Sequence, residues 1–176
     1  NGVNQYLRVA NSDRFNFTDK VTLFVVAKGN LYQWRPIISK YGDGSAGWQF
    51  RTNNGDVGTF TIRGTTGTDV PVGAAAINGV SRVWSARYNG VRRTQWADGT
   101  EEYNINDTGD IPSSTFDLVV GAKASPNIGS YGGCEIAEII IFDTALSDEE
   151  IAMVEGSLAH KWGLDGSLPP SHPYKA

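Results

Sequence analysis

One segment near the end of the chain narrows the folds open to it. Residues 135–164, EIAEIIIFDTALSDEEIAMVEGSLAHKWGL, place a hydrophobic strand, Ile136 to Phe142, just before a helix. Ser147 is positioned to cap that helix, and Glu150 three residues later completes a capping box. Asp148, Glu149 and Glu150 put negative charge at the positive end of the helix dipole. Ile151, Val154, Leu158 and Trp162 recur at steps of three and four, the spacing of an apolar stripe that faces a core. Lys161 lies in the last turn, and Gly163 suits the left-handed residue that ends a helix.

Everything upstream reads as β. Expected strands are Tyr6–Ala10, Val21–Lys28, Pro36–Lys40, Trp48–Thr52, Thr59–Arg63, Val83–Tyr88, Arg92–Ala97, Leu118–Gly121 and Ile136–Phe142. Glycine turns separate them at Gly42-Asp43-Gly44, Asn54-Gly55-Asp56, Asn89-Gly90, Asp98-Gly99 and Gly132-Gly133. Asn89-Gly90 is a hairpin signal that joins Val83–Tyr88 to Arg92–Ala97. Many short strands at such spacing predict an all-β, antiparallel two-sheet sandwich, a jelly roll, with one short C-terminal helix. Residues 1–176 are expected to form a single domain, cut from a longer polypeptide. The tail from Asp165 is expected to wrap over the surface.

Composition removes several classes. No apolar run reaches the roughly 20 residues of a membrane helix. Cys134 is the only cysteine, so there is no internal disulfide and no cysteine-based zinc site. The net charge of −4 hides a split: residues 1–93 hold 12 basic and 5 acidic groups, and residues 94–176 hold 3 and 14. Two readings fit this: complementary surfaces within one fold, or a basic patch on one sheet for an anionic ligand.

The residues also resemble a family. NGVNQYLRVANSDRFNFTDKVTLFVVAKG, at the start of the chain, is similar to the opening of laminin-G-like, concanavalin-A-like jelly rolls. Arg93–Gly99, RTQWADG, resembles their strand ending in Asp-Gly, although Gln95 and Trp96 stand where that strand is usually apolar. Gly133 with Glu135–Leu146 resembles the closing strand and turn. Leu158–Leu164, with Leu168-Pro169 and His172-Pro173-Tyr174, resembles a C-terminal extension of the bacterial branch. The resemblance implies the jelly-roll fold and a secreted or cell-surface setting, tethered to a catalytic or surface domain. It also implies that a calcium ion could sit at the loop rim, where Asp43, Asp56 and Asp107 offer oxygen ligands. The fold alone does not choose among binding, adhesion and catalysis.

Catalysis has little to stand on. Jelly-roll glycanases carry alternating acids on one strand face. Here Glu135 and Glu138 are three apart, which a regular strand would point to opposite faces, and Glu101 and Glu102 are adjacent. Glu138 reads as a satisfied or surface carboxylate. His160 and His172 cannot make a three-histidine metal site, and the sequence context of neither, on the terminal helix and in the Pro-rich tail, offers a plausible Ser or Cys nucleophile. No phosphate loop or dinucleotide fingerprint points to a nucleotide or nucleic acid.

Sugar binding needs an aromatic platform beside planar polar groups. Trp84 and Trp162 are expected in the core, and Trp48 there with Phe50. That leaves Trp34, with Arg35 beside it, Trp96 and Tyr131 as platforms. If Trp48, Phe50, Phe60, Ile62, Trp84 and Ala86 face inward, then Arg51, Arg63 and Arg87 face outward. On a shared concave sheet they would suit sulfate or carboxylate. The expected function is a noncatalytic module that binds a polysaccharide, with a protein-interaction or adhesion domain as the alternative.

Overall fold

The computed structural model describes residues 4–29, 34–41, 46–53, 57–66, 75–124 and 128–175. Ten strands are seen there: β1 (Leu7–Val9), β2 (Val21–Gly29), β3 (Pro36–Tyr41), β4 (Gly47–Thr52), β5 (Gly58–Arg63), β6 (Ser81–Tyr88), β7 (Arg92–Ala97), β8 (Thr100–Asn106), β9 (Leu118–Val120) and β10 (Cys134–Phe142). One helix, α1, runs Asp148–Trp162. The strands form two antiparallel sheets, ordered β1-β9-β3-β4-β5 and β10-β2-β6-β7-β8. The turns expected at Gly42-Asp43-Gly44 and Asn54-Gly55-Asp56 lie outside the described residues.

Side chains alternate as a pleated strand requires. Trp48, Phe50, Phe60, Ile62, Trp84 and Ala86 all meet in the core between the sheets. β2 is buried on both faces, which explains its nearly continuous apolar sequence. Leu23 and Val25 face the core between the sheets. Phe24 and Val26 face the other way, joining Val83, Ile151, Leu158, Ala159 and Leu168 beneath α1. The helix begins as its sequence requires. Ser147 Oγ accepts from Glu150 N at 3.2 Å, and Glu150 Oε2 accepts from Ser147 N at 2.8 Å. Gly163 ends it at φ 67°.

Three expectations change. β8 is an added strand: its sequence, TEEYNIN, is rich in residues depleted from strands, and only Tyr103 is deeply buried. Trp162 is not core but 42% exposed. It shares the azimuth of Ile151, but the last turn of α1 stands over the edge strand β10, where the indole Nε1 donates to Glu138 Oε2 at 2.8 Å. Glu135 and Glu138 do not point apart. A β-bulge between Ile136 and Glu138 sets Glu135 opposite Lys28 and Glu138 opposite Val26. Lys28 and Val26 are two apart on β2, so both carboxylates lie on the outer face.

The charge split is used largely for internal complementarity. Arg8, Arg82, Arg87 and Arg93 pair with Asp117, Asp98, Asp148 and Asp107, each an arginine of the first half with an acid of the second. The Arg93–Asp107 pair is fully buried, at 3.3 Å. Asp107 is thus turned inward rather than toward a loop-rim ion, while Asp43 and Asp56 lie outside the described residues. No helix is long and apolar enough to cross a membrane among those residues.

Candidate functional site

The outer face of the first sheet is built by the same alternation that fills the core. Ser39, Gln49 and Thr61 lie opposite one another across β3, β4 and β5, and Arg51 lies opposite Thr59. In the neighbouring row Gly47 stands between Tyr41 and Arg63. With no side chain at Gly47, Arg63 Nε reaches across to donate to the Tyr41 hydroxyl at 3.2 Å. Gly47 itself has φ 101°, and a Cβ there would lie 2.0 Å from the Lys40 carbonyl oxygen.

This face is polar yet largely shielded from water. Ser39, Gln49, Thr59 and Thr61 are buried, and Arg51 is only 7% exposed. Arg51 Nε donates to Thr61 Oγ1 at 3.3 Å, and its guanidinium carbon lies 4.4 Å from the centroid of the Trp34 ring. Trp34 keeps 43% of its surface open. The two residues border a cavity of about 260 Å³, lined also by Pro36, Tyr41, Gln49, Lys123 and Ser130. Arg63 and Lys123 approach the Tyr41 ring, at 5.8 and 5.7 Å from its centroid.

Backbone strain gathers at the same place. Three described non-glycine residues have positive φ: Trp34 at 64°, Asp98 at 48° and Ser130 at 52°. Two of them line this cavity. An aromatic residue in the left-handed region is unfavourable by about 1–2 kcal/mol and persists only where its surroundings enforce it. For Trp34 the enforcement is visible next door. Arg35 N donates to Thr52 Oγ1, and Thr52 N donates to the Arg35 carbonyl, both at 3.0 Å, which pins the segment to β4.

The expected site residues therefore divide. Trp34, Arg51 and Arg63 share one face, with Arg35 fixing the first of them. Tyr131 follows Ser130 in the chain but does not line the cavity: it packs beside Val119, Ala122 and Ala124, is stacked on Tyr6 with centroids 6.2 Å apart, and its hydroxyl donates to the Ile128 carbonyl. Arg87 and Trp96 belong to β6 and β7 in the other sheet. Arg87 donates to the Leu146 carbonyl at 2.8 Å and to Asp148 at 2.7 Å, with Trp96 5.3 Å away. They support the start of α1, and they do not share the sheet of Arg51 and Arg63. Tyr41, Lys123 and Ser130 are additions that the structure makes to the site. Tyr41 follows from strand alternation once β3 is extended by one residue. Lys123 and Ser130 come from the segment after β9 and carry no local signal.

One buried trio superficially resembles catalytic machinery. Ser85 Oγ donates to Glu155 Oε1, and His172 Nε2 lies 3.5 Å from Glu155 Oε2. Burial pushes the Glu155 carboxyl up to about 7 and lowers the His172 imidazole. Here, however, the acid stands between serine and histidine, so the imidazole does not reach the hydroxyl, and all three side chains are buried away from any substrate. The trio ties the C-terminal tail to α1 and β6. Among the described residues no group of three or more His, Cys, Asp or Glu could hold a metal ion.

No family model matches the chain, and no curated protein does. Solved structures do. The binding domain of Paraclostridial Mosquitocidal Protein 1 aligns with a TM-score of 0.66 at 13% identity, over 89% of this chain and 42% of that one. The CBM40 module of the Ruminococcus gnavus IT-sialidase, solved bound to α2,3-sialyllactose, aligns at 0.62 and 13% identity, over 86% and 97%. A botulinum neurotoxin type C structure, whose cell entry depends on two ganglioside molecules, aligns at 0.62 and 13%, over 87% and 40%. The chain thus spans about two fifths of the two toxin chains and nearly the whole of the sialidase module. At these identities the likeness is one of fold: the chain is a two-sheet, jelly-roll-like β-sandwich, the architecture it shares with a sialidase carbohydrate-binding module and with toxin binding domains.

Proposed function

We propose that this chain is a noncatalytic, laminin-G-like carbohydrate-binding module whose ligand is an anionic polysaccharide, uronic or sulfated. The observation that carries the reading is the exposed Trp34. It is held in a left-handed backbone with a guanidinium stacked on it, at a cavity that a second strained residue, Ser130, also lines. Strain of this kind gathers where a side chain must be presented in one orientation. A sugar ring would lie against the indole, and Arg51 and Gln49 would meet its hydroxyl edge. Arg63 and Lys123, around Tyr41, would meet a carboxylate or sulfate. None of these contacts needs a metal.

The comparison with the sialidase module supports the same reading, because that module was solved with a sialylated sugar bound. The parent protein is then a secreted or cell-surface bacterial one, with this module delivering an attached catalytic or surface domain to a glycan. Affinity gel electrophoresis over neutral, uronic and sulfated polysaccharides tests it. Retardation by an anionic polysaccharide that weakens with added salt is expected. Mobility unchanged in every gel refutes it.

A further inference from the structure

The second sheet has a hollow of its own, remote from Trp34 and Arg51. α1 covers the middle of that sheet's outer face. Past its last turn, Ser81, Lys28 and Glu135 lie directly opposite one another on β6, β2 and β10. At about 4.8 Å between strands this polar row is roughly 10 Å wide. Trp162 and Leu164 wall it, and the hollow measures about 190 Å³.

Two features make this more than an uncovered patch. The bulge in β10 aims Glu138 to the same face as Glu135, and Glu138 then fixes the indole. It accepts from Trp162 Nε1 at 2.8 Å and from Lys161 Nζ at 3.0 Å, and Lys161 lies 5.6 Å from the ring centroid. These bonds hold the Glu138 carboxyl below its ordinary range. The result is an exposed tryptophan with a set orientation beside a row of donors and acceptors. Bulges commonly serve to re-aim a side chain at a binding site. The charges also balance, with Lys28 and Lys161 against Glu135 and Glu138. An anionic ligand would meet the two carboxylates, and a cation would meet the two ammonium groups.

We propose that this hollow is a second carbohydrate site, selective for an uncharged pyranose. The indole of Trp162 stacks on the apolar face of the ring. Lys28 Nζ donates to ring hydroxyls, Glu135 accepts from them, and Ser81 does either. The site stands apart from the Trp34 cavity in position and in ligand charge. With both sites in use, the module would engage a glycan of mixed charge, or two glycans, from its two outer faces.

The test follows the indole N–H signal of Trp162 in the ¹⁵N-labelled protein, identified by its loss in Trp162→Phe. The probes are short neutral oligosaccharides of glucose, xylose, mannose and galactose. At least one is expected to shift the signal saturably, with an affinity on the order of millimolar. Glu135→Ala and Lys28→Ala are each expected to weaken that binding about tenfold, with the rest of the spectrum reporting an intact fold. Trp34→Ala is expected to leave it unchanged. The proposal is overturned if no probe moves the signal, if the shift survives both polar substitutions undiminished, or if Trp34→Ala abolishes it. Failure of the Trp34 site alone would leave the Trp162 shift in place, so the two readings fail separately.

Discussion

Replacing Glu155 by glutamine should change how stability depends on pH. Glu155 is buried in α1 against β6 and the C-terminal tail, and burial lifts its carboxyl to about 7 from an ordinary 4.5. Nearby Asp98 adds to the rise, and the hydrogen bond from Ser85 opposes it. The folded state therefore holds this proton more tightly than the unfolded chain does. The resulting penalty is absent below pH 4.5, grows between 4.5 and about 7, and is complete above that. The gap between 4.5 and about 7, at about 1.4 kcal/mol for each pH unit, sets an upper figure of about 3 kcal/mol.

His172 acts on the acid side. Burial lowers its pKa from 6.5, with Lys175 adding to the effect, so stability is lost as pH falls through 6.5 and the unfolded chain takes up the proton first. Asp98, which acts on Glu155, is itself ion-paired with Arg82 at 2.6 Å. Between pH 4.5 and 6.5 the two effects overlap and oppose each other in the wild type. Glu155→Gln keeps an acceptor for Ser85 and removes the alkaline limb. It should be more stable than the wild type by up to about 3 kcal/mol near pH 8, and close to it near pH 4.5. Urea unfolding followed by tryptophan fluorescence across this range measures both. Parallel curves for the two proteins, or a variant weaker at pH 8, would refute the reasoning.

Three other substitutions test the fold. Asp107→Ala leaves the fully buried Arg93 without its 3.3 Å partner and should cost about 3–5 kcal/mol in urea unfolding. Ser147→Ala removes the capping box and should cost about 1 kcal/mol, with a matching loss of helix signal in circular dichroism. Gly156→Ala would put a Cβ 2.3 Å from the Cβ of Tyr174, so the tail should lift. Faster hydrogen exchange around His172 and Tyr174, with the sheets unchanged, is the expected sign.

Local pattern carries far in this chain. Alternation in β4, β5 and β6 locates the core and the outward side chains together, and the capping box and Gly163 mark both ends of α1. What pattern cannot supply is which strands share a sheet. Arg51, Arg63 and Arg87 all point outward, but β6 pairs with β2 and β7 rather than with β5, so Arg87 lies beneath α1. Sheet membership is a long-range pairing choice with no periodic trace. The bulge in β10 is equally silent, because Ala137 is an ordinary residue there and no glycine marks the kink. The position of Trp162 follows from that bulge and from where the helix overhangs the sheet. Ser130 and Lys123 reach the Trp34 cavity only through the path of the chain after β9.

The central claim is that Trp34 and Arg51 form a glycan-binding surface. Isothermal titration tests it most directly, with the polysaccharide that retards the wild type in affinity gels added to wild type, Trp34→Ala and Arg51→Ala. Each substitution should weaken binding by about tenfold or more, the loss expected for a stacking platform or a charge-assisted hydrogen bond. Trp34→Ala should leave stability little changed, since the indole is 43% exposed and the Cβ responsible for the cost of φ 64° is kept. Full affinity retained in both variants would contradict the account.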